Sequence, residues 1–496
     1  MIALTLAEIA ELLGGTVGGA VGGAVGGTFP VAAAADVVVT APASVDSRQM
    51  PRGGLFVAAV GEHVDGHDFV GAALAAGAAA SLVSREVEGP HVVVRDVVVA
   101  LGQLARAVLD RLVLDCGLQV VALTGSSGKT GTKDLLAQTL RELGPVVATE
   151  QNLNNELGVP LTALVADEST RHLVLEMGAR VVGDITYLTG VAPPRVGLVL
   201  NVGAAHIGPF GGKEGIARAK SELVQALPSA AAGGVAVLNA DDELVAAMAA
   251  VTTARVITFG ESTSASVRAV DVSLDDGGRA GFLLATDASP DTAPVSLRVH
   301  GRHQVSNALG AAAVALSLGV SLDRIAAGLS AAESRSRWRM QVTRRPDGVT
   351  VVNDAYNANP DSMRAGLAAL VSMVRNGDGR TWAVLGEMLE LGAASDAEHA
   401  KIGRLTRRLG VDRLVVVGAG ARGIHAGAVA DGAREGEDSV VVPDSEAALS
   451  LLRGALRAGD VVLFKSSRDA GLRWLGDAVA EDADDVGQEL APGIAP

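Results

Sequence analysis

The chain has 496 residues, 49% of them hydrophobic, 20% charged and only 2% aromatic. At about 150 residues per domain this length suggests three domains, with cores built from Val, Leu, Ile and Ala. A net charge of −15 argues against a general nucleic-acid binder, which needs a basic face, and a single cysteine, Cys116, excludes a disulfide framework or a multi-cysteine metal cluster.

Residues 1–15 alternate apolar and acidic positions like a short amphipathic helix. They lack the basic start of a signal peptide. Residues 14–28 repeat Gly-Gly-Ala-Val units, so an inserted flexible loop over 14–35 is expected in a first domain spanning 1–115. The Ala/Gly-rich stretch 69–83 is too short and interrupted to span a bilayer. A soluble cytoplasmic chain without membrane or nucleic-acid partners is therefore expected.

A second block, 116–335, opens on Val120–Thr124, a continuous apolar run suited to a buried parallel strand. Leu136, Leu140 and Leu143 follow at helical spacing, and apolar runs recur at 173–175, 196–200 and 235–238. A third block, 336–480, alternates strand candidates at 349–352, 383–385, 414–417, 440–442 and 461–464 with helical stretches. The fold class predicted is α/β in three domains: a small N-terminal α/β domain, a central P-loop ATPase-like parallel-sheet domain and a C-terminal doubly wound, Rossmann-like domain. Residues 481–496 are acidic with Pro and Gly and read as a disordered tail.

Chemistry concentrates in the second block. Thr124-Gly125-Ser126-Ser127-Gly128-Lys129-Thr130 sits between a buried strand and a helix, the context of a phosphate-binding loop. Its glycines let backbone N–H groups turn inward, and the helix N-terminus adds positive potential. Lys129 would reach the β/γ-phosphates and Thr130 would bind Mg²⁺. Leu123 stands where the usual pattern has its first glycine, so an ordinary Gly-rich turn is the competing reading. Glu176 ends an apolar run and points, as strand-end carboxylates do, toward a ligand crevice, as a metal ligand or a solvated acid. His206 follows another strand and is either a metal or phosphate ligand or structural. Lys220 reads locally as an exposed helical lysine. Gly418-Ala-Gly-Ala-Arg-Gly423 fits G-x-G-x-x-G, with Asp444 past the next strand as a ribose-binding acid, so a dinucleotide dehydrogenase is a rival reading.

Taken in order, the motifs resemble those of the muramyl ligases from about Ser44 to Trp474. The markers are Asp46-Ser47-Arg48, Gly54–Ala58, Asp65–Phe69, Thr124–Thr130, Asn152–Pro160, Glu176–Ala179, Ala204–His206, Ala219–Glu222, Gly301–Ala308, Asn353–Pro360 and Gly386–Gly392. The resemblance implies an ATP-dependent ligase that adds D-alanyl-D-alanine to UDP-N-acetylmuramoyl-tripeptide through an acyl phosphate, working as a monomer. It implies that Ser47 and Arg48 lie near the uridine nucleotide, and that Asn154, Asn155, Tyr356, Asn357 and Asn359 face the substrates. It places Gly125, Ser126, Ser127, Gly128, Lys129, Thr130, Asn307 and Asp354 on ATP, with Asn307 at adenine and Asp354 at ribose. Thr130, Glu176, His206 and a carbamylated Lys220 would hold Mg²⁺, expected as two ions, with Arg339 near the phosphates. Gly131 replaces a usual threonine, Gly208-Pro209 a common Glu-Gly, and Lys465-Ser466-Ser467-Arg468 the usual Lys-Gly-Ser-Arg. Another amide ligase of this fold, such as a folylpolyglutamate synthetase-like enzyme, and a non-catalytic nucleotide-binding relative are the alternatives.

Overall fold

The computed structural model describes residues 1–19, 22–23, 27–28, 34–203, 210–374 and 379–481. His206 and the Gly208-Pro209 departure lie outside the described residues, as do much of the 14–35 run and the tail beyond Glu481.

Three sheets carry the three blocks. The first is four-stranded, in the order Thr16–Gly18, His91–Val93, Ala80–Val83, Leu55–Val57. The Gly-rich run thus begins as a strand and not as a loop. Gly18 is buried against the His91 ring, where a Cβ would collide, so the glycine that signals flexibility in the sequence here permits close pairing. A long helix, Val97–Cys116, follows; Asp96 caps it by accepting from the N–H groups of Val98 and Val99, and Gly117 ends it in the left-handed region. Although it belongs in sequence to the first block, it packs against helices Gly158–Ala163 and Asp184–Val191 of the second.

The central sheet has nine strands, ordered Val146–Ala148, His172–Glu176, Gln119–Thr124, Val196–Val199, Val235–Asn239, Arg255–Gly260, Val267–Leu274, Arg279–Thr286, Ser289–His300. The first seven run parallel; the last two close an antiparallel meander on one edge. Parallel strands covered on both faces need apolar residues along their middles, which is why 173–175 and 196–199 read as unbroken runs. The strand Gln119–Thr124 lies between strands reached by opposite turns of the chain, so a crevice opens beyond its C-terminal end.

The third sheet has six strands, ordered Gln341–Arg344, Thr350–Asn353, Val461–Lys465, Thr381–Leu385, Arg413–Val417, Ser439–Val442. All but the first edge strand are parallel. Glu481, read as the start of the tail, is instead the last residue of helix Leu472–Glu481. Among the described residues no helix is long and apolar enough to cross a membrane.

Candidate active site

The turn from strand Gln119–Thr124 into helix Lys129–Leu140 is a phosphate-binding loop in shape as well as sequence. Gly128 takes φ 80° at the helix N-cap, and a Cβ there would strike the Asn307 amide, so only glycine closes this turn. No side chain caps the helix, which leaves its opening N–H groups facing the crevice. Asn201, just past strand Val196–Val199, clamps the loop from beside it. Its Oδ1 accepts from the N–H groups of Ser126 and Ser127, each at 3.0 Å, and its Nδ2 donates to the Ser127 carbonyl. The sequence reading missed Asn201; its one signal was a polar amide placed directly after a buried strand.

Lys129 folds back across this loop, Nζ donating to the Gly125 carbonyl at 2.8 Å. Burial pushes its pKa down, Glu176 opposes that shift, and Arg339 adds to it. The next residue, Thr130, donates from Oγ1 to Glu176 at 3.0 Å, and Asn154 donates to the other Glu176 oxygen at 2.7 Å. Glu176 is 2% exposed, so its carboxylate is a fixed hard-oxygen group beside the loop and not a solvated strand-end acid. Asn155 acts on the backbone instead. Its side chain accepts from the Gly158 N–H and starts helix Gly158–Ala163.

Lys220 lies in helix Lys213–Gln225 and is 5% exposed, which overturns its local reading as a solvated lysine. The helix is amphipathic, and Lys220 falls on its buried side with Ile216 and Leu223. Burial first and the nearby Lys129 second lower the amine to about 7. It lines the same cavity as Lys129 and Glu176.

The third domain supplies the opposite wall. Arg339 sits 4.2 Å above the Tyr356 ring centroid, and Arg468 5.8 Å from it. Two non-glycine residues flanking Arg339, Trp338 (φ 58°) and Met340 (φ 49°), adopt left-handed backbone that costs on the order of 1–3 kcal/mol each. That strain is held by the Trp338–Tyr356 stack, by Trp338 Nε1 donating to Asp477 and by the Met340 N–H donating to Asp354. The Tyr356 hydroxyl is buried with no hydrogen-bond partner among the described residues, and Tyr356 lines the cavity. Asn359 caps helix Pro360–Ser372 and reaches across to donate from Nδ2 to the Ser126 carbonyl at 3.3 Å. Asn357 is exposed on the same rim.

Asp354 is already engaged: Oδ2 accepts from Lys465 at 2.6 Å and Oδ1 from the Met340 N–H. Lys465 is 2% exposed, and burial lowers its pKa against the pull of Asp354. Replacing Asp354 with alanine is expected to lower third-domain stability by about 3 kcal/mol, because removal of one partner strands a buried cation. Urea unfolding followed by tryptophan fluorescence checks this; an unchanged midpoint would contradict the pairing.

The phosphate-loop helix also holds the linker into the third domain. Gln138 exchanges hydrogen bonds with the Glu333 backbone at 2.8 and 3.2 Å, and Asp134 accepts from the Ser336 N–H at 3.1 Å. Together these walls enclose a cavity of 1010 Å³, lined by the loop, Asn154, Asn155, Glu176, Lys220, Asn307, Arg339, Asp354, Tyr356, Asn357 and Asn359. Ser47 and Arg48 do not join it; they form a surface turn of the first domain, where Arg48 pairs with Asp46 at 2.9 Å. Gly131 packs close to the Gln304 and Asn307 amides, which accounts for a small residue there. The G-x-G-x-x-G rival loses its acid, since Asp444 is occupied as the N-cap of helix Ser445–Ala455. Among the described residues no group of three or more His, Cys, Asp or Glu forms a ready-made metal cluster.

Comparison with known proteins places these features in context. Residues 43–108 match the family model described as Mur ligase family, catalytic domain; 123–315 match Mur ligase middle domain; and 338–468 match Mur ligase, glutamate ligase domain. The chain is 49% identical to the UDP-N-acetylmuramoyl-tripeptide--D-alanyl-D-alanine ligase of Mycobacterium tuberculosis, covering 97% of this chain and 98% of that protein. It is 33% identical to the Escherichia coli ligase of the same name, covering 97% and 99%. Among solved structures it resembles MurF from Acinetobacter baumannii, with TM-score 0.81 and 32% identity over 97% and 99% of the two chains. MurF from Thermotoga maritima in complex with ADP gives TM-score 0.74 and 29% identity over 89% and 98%.

Proposed function

This chain belongs to the Mur ligase family, and we propose that it uses ATP to join D-alanyl-D-alanine to UDP-N-acetylmuramoyl-tripeptide in peptidoglycan precursor synthesis. One observation carries the reading beyond likeness: a single cavity unites the phosphate loop and the Glu176–Thr130 pair with an arginine-bearing wall from a second domain. A dehydrogenase has no use for that combination.

The uncatalysed reaction fails because a carboxylate has no good leaving group. In the proposed mechanism the tripeptide carboxylate oxygen attacks the γ-phosphorus of ATP, the bond to the β–γ bridging oxygen breaks, and ADP departs. The dipeptide amine then attacks the acyl carbon, loses its proton, and the carbon–oxygen bond to phosphate breaks. Lys129 and Arg339 stabilise charge on the transferring group, and the helix N-terminus binds the phosphates. Asn154 and Asn201 hold the acid and the loop in place. In this reading Asn307 contacts adenine, Asp354 binds the ribose, and Tyr356 offers its buried hydroxyl to substrate. Ser47 and Arg48 serve the uridine nucleotide from the first domain. Closure of the third domain, through Asn359 on the loop, excludes water that would hydrolyse the acyl phosphate. In this reading the three working domains are 1–115, 116–335 and 336–481, the last closing with helix Leu472–Glu481.

Magnesium fits the donors present: Thr130 Oγ1 and Glu176 are buried hard oxygens 3.0 Å apart, as that ion requires. When bound it neutralises phosphate charge. A second ion would be held by Lys220 once its neutral amine has attacked carbon dioxide and lost a proton to give a carbamate, with His206 as a further ligand. The reading includes a working monomer and, because its nucleotide substrates are made in the cell interior, a cytoplasmic reaction.

Phosphate release from ATP is expected only when both the nucleotide-tripeptide and D-alanyl-D-alanine are present, with one amide formed per phosphate. Release with neither, or glutamate serving as the better acceptor, would transfer the assignment to a hydrolase or to a folylpolyglutamate synthetase-like ligase. No release under any condition would indicate a non-catalytic relative.

A further inference from the structure

A second cavity, of 470 Å³, opens at the opposite edge of the central sheet. Its floor is made by Gln119, His172, Val196, Val235 and Arg255, each the first residue of its strand, whereas the crevice gathers the strands' last residues. The turn at Gly233 and Gly234 and the end of helix Gln304–Ser317 complete the wall.

In a chain of net charge −15, this cavity is lined by two arginines and a histidine, and no carboxylate borders it. Arg195 is anchored by Nε donating to the Gly233 carbonyl at 3.2 Å. Among the described residues neither Arg195 nor Arg255 is salt-bridged. His172 is 5% exposed, its Nδ1 has no hydrogen-bond partner among the described residues, and burial keeps its ring below the ordinary pKa. His172 borders the cavity, so a ligand seated there changes the surroundings of its ring. The volume lies within the range of about 300–1,000 Å³ typical of small-molecule sites.

We propose that this cavity is a second ligand site, remote from the catalytic crevice, for a small molecule carrying a phosphate or carboxylate group. Two guanidinium groups bordering one cavity can each donate to an oxyanion oxygen. Gly233 has left-handed backbone, φ +82°, and a Cβ there would strike the Arg195 guanidinium, so this glycine leaves room for the arginine.

The test uses the full chain and three separate probes: inorganic phosphate, UMP and citrate. Calorimetric titration is run on Lys129→Ala, which weakens the crevice, and on Lys129→Ala with Arg255→Glu. Arg255 is an exposed side chain, so this change leaves the fold intact. At least one probe is expected to bind the first protein saturably and the second at least about tenfold more weakly; the tightest probe identifies phosphate, nucleotide or carboxylate as the source chemistry. In ¹³C-histidine-labelled protein the His172 resonance, assigned with His172→Gln, should move with the same saturation curve. Absence of binding by all three probes overturns the proposal. So does binding, or a moving His172 resonance, that survives Arg255→Glu unweakened. Arg255→Glu alone should leave ligase turnover without added probe unchanged.

Discussion

Lys129→Ala should reduce amide formation by a factor of about 10²–10³ while the protein remains folded. The lysine is the one cation held within the loop itself, 2.8 Å from the Gly125 carbonyl and buried beside Glu176. Preorganised charge of this kind acts in a water-poor site, where removal of one group costs about 3–4 kcal/mol of transition-state stabilisation. Arg339 cannot take over, because its side chain is anchored on the Tyr356 ring in the other domain. The rate of phosphate release and of product formation, with a thermal melt as the folding control, decides the matter. Ligation within tenfold of wild type would remove Lys129 from the chemistry.

Lys220→Ala is the second large effect expected, a loss of about a hundredfold or more that bicarbonate does not restore. The residue is buried, shares the cavity of Lys129 and Glu176, and has an amine lowered by burial to about 7, so a substantial share of it is neutral near pH 7. Neutral amines form carbamates and ammonium groups do not. Wild type purified free of carbon dioxide should therefore gain activity on adding bicarbonate, and ¹³C-bicarbonate should give a carbamate resonance that Lys220→Ala lacks. Equal activity of the two proteins, or a resonance that persists in the variant, would end the carbamate reading and leave Lys220 as a positioning cation.

Much of this architecture was legible because parallel strands and phosphate loops have strong local signatures. Runs such as 173–175 and 461–464 are apolar at every position, since both faces are covered, and the loop 124–130 needs glycine at Gly128 for a steric reason visible in the motif. The meander 267–300 was not foreseen. Its strand Ser289–His300 alternates Ala293, Val295, Leu297 and Val299 with exposed residues, a half-buried pattern interrupted by Pro290 and Pro294. Lys220 was misread locally because a single lysine in a polar helix carries no mark of what the helix packs against; only the motif resemblance pointed inward. The clamp by Asn201 and the Asp134, Gln138 and Asn359 contacts join residues 74 to 233 positions apart, and no local pattern encodes such pairings. Gly18 misled in the other direction: a glycine chosen for closeness looks, in sequence, like one chosen for freedom.

The strap from Glu333 to Ser336 is tied to the flank of helix Lys129–Leu140, and Arg339 follows only three residues later. Arm length is thereby metered from the helix proposed to hold the triphosphate. One inserted residue would add up to about 3.5 Å of slack, more than the distance that separates a contact from none. Chain arithmetic between 336 and 339 is therefore as much a part of the catalyst as any side chain in it: the strap is a ruler with its zero mark at the nucleotide.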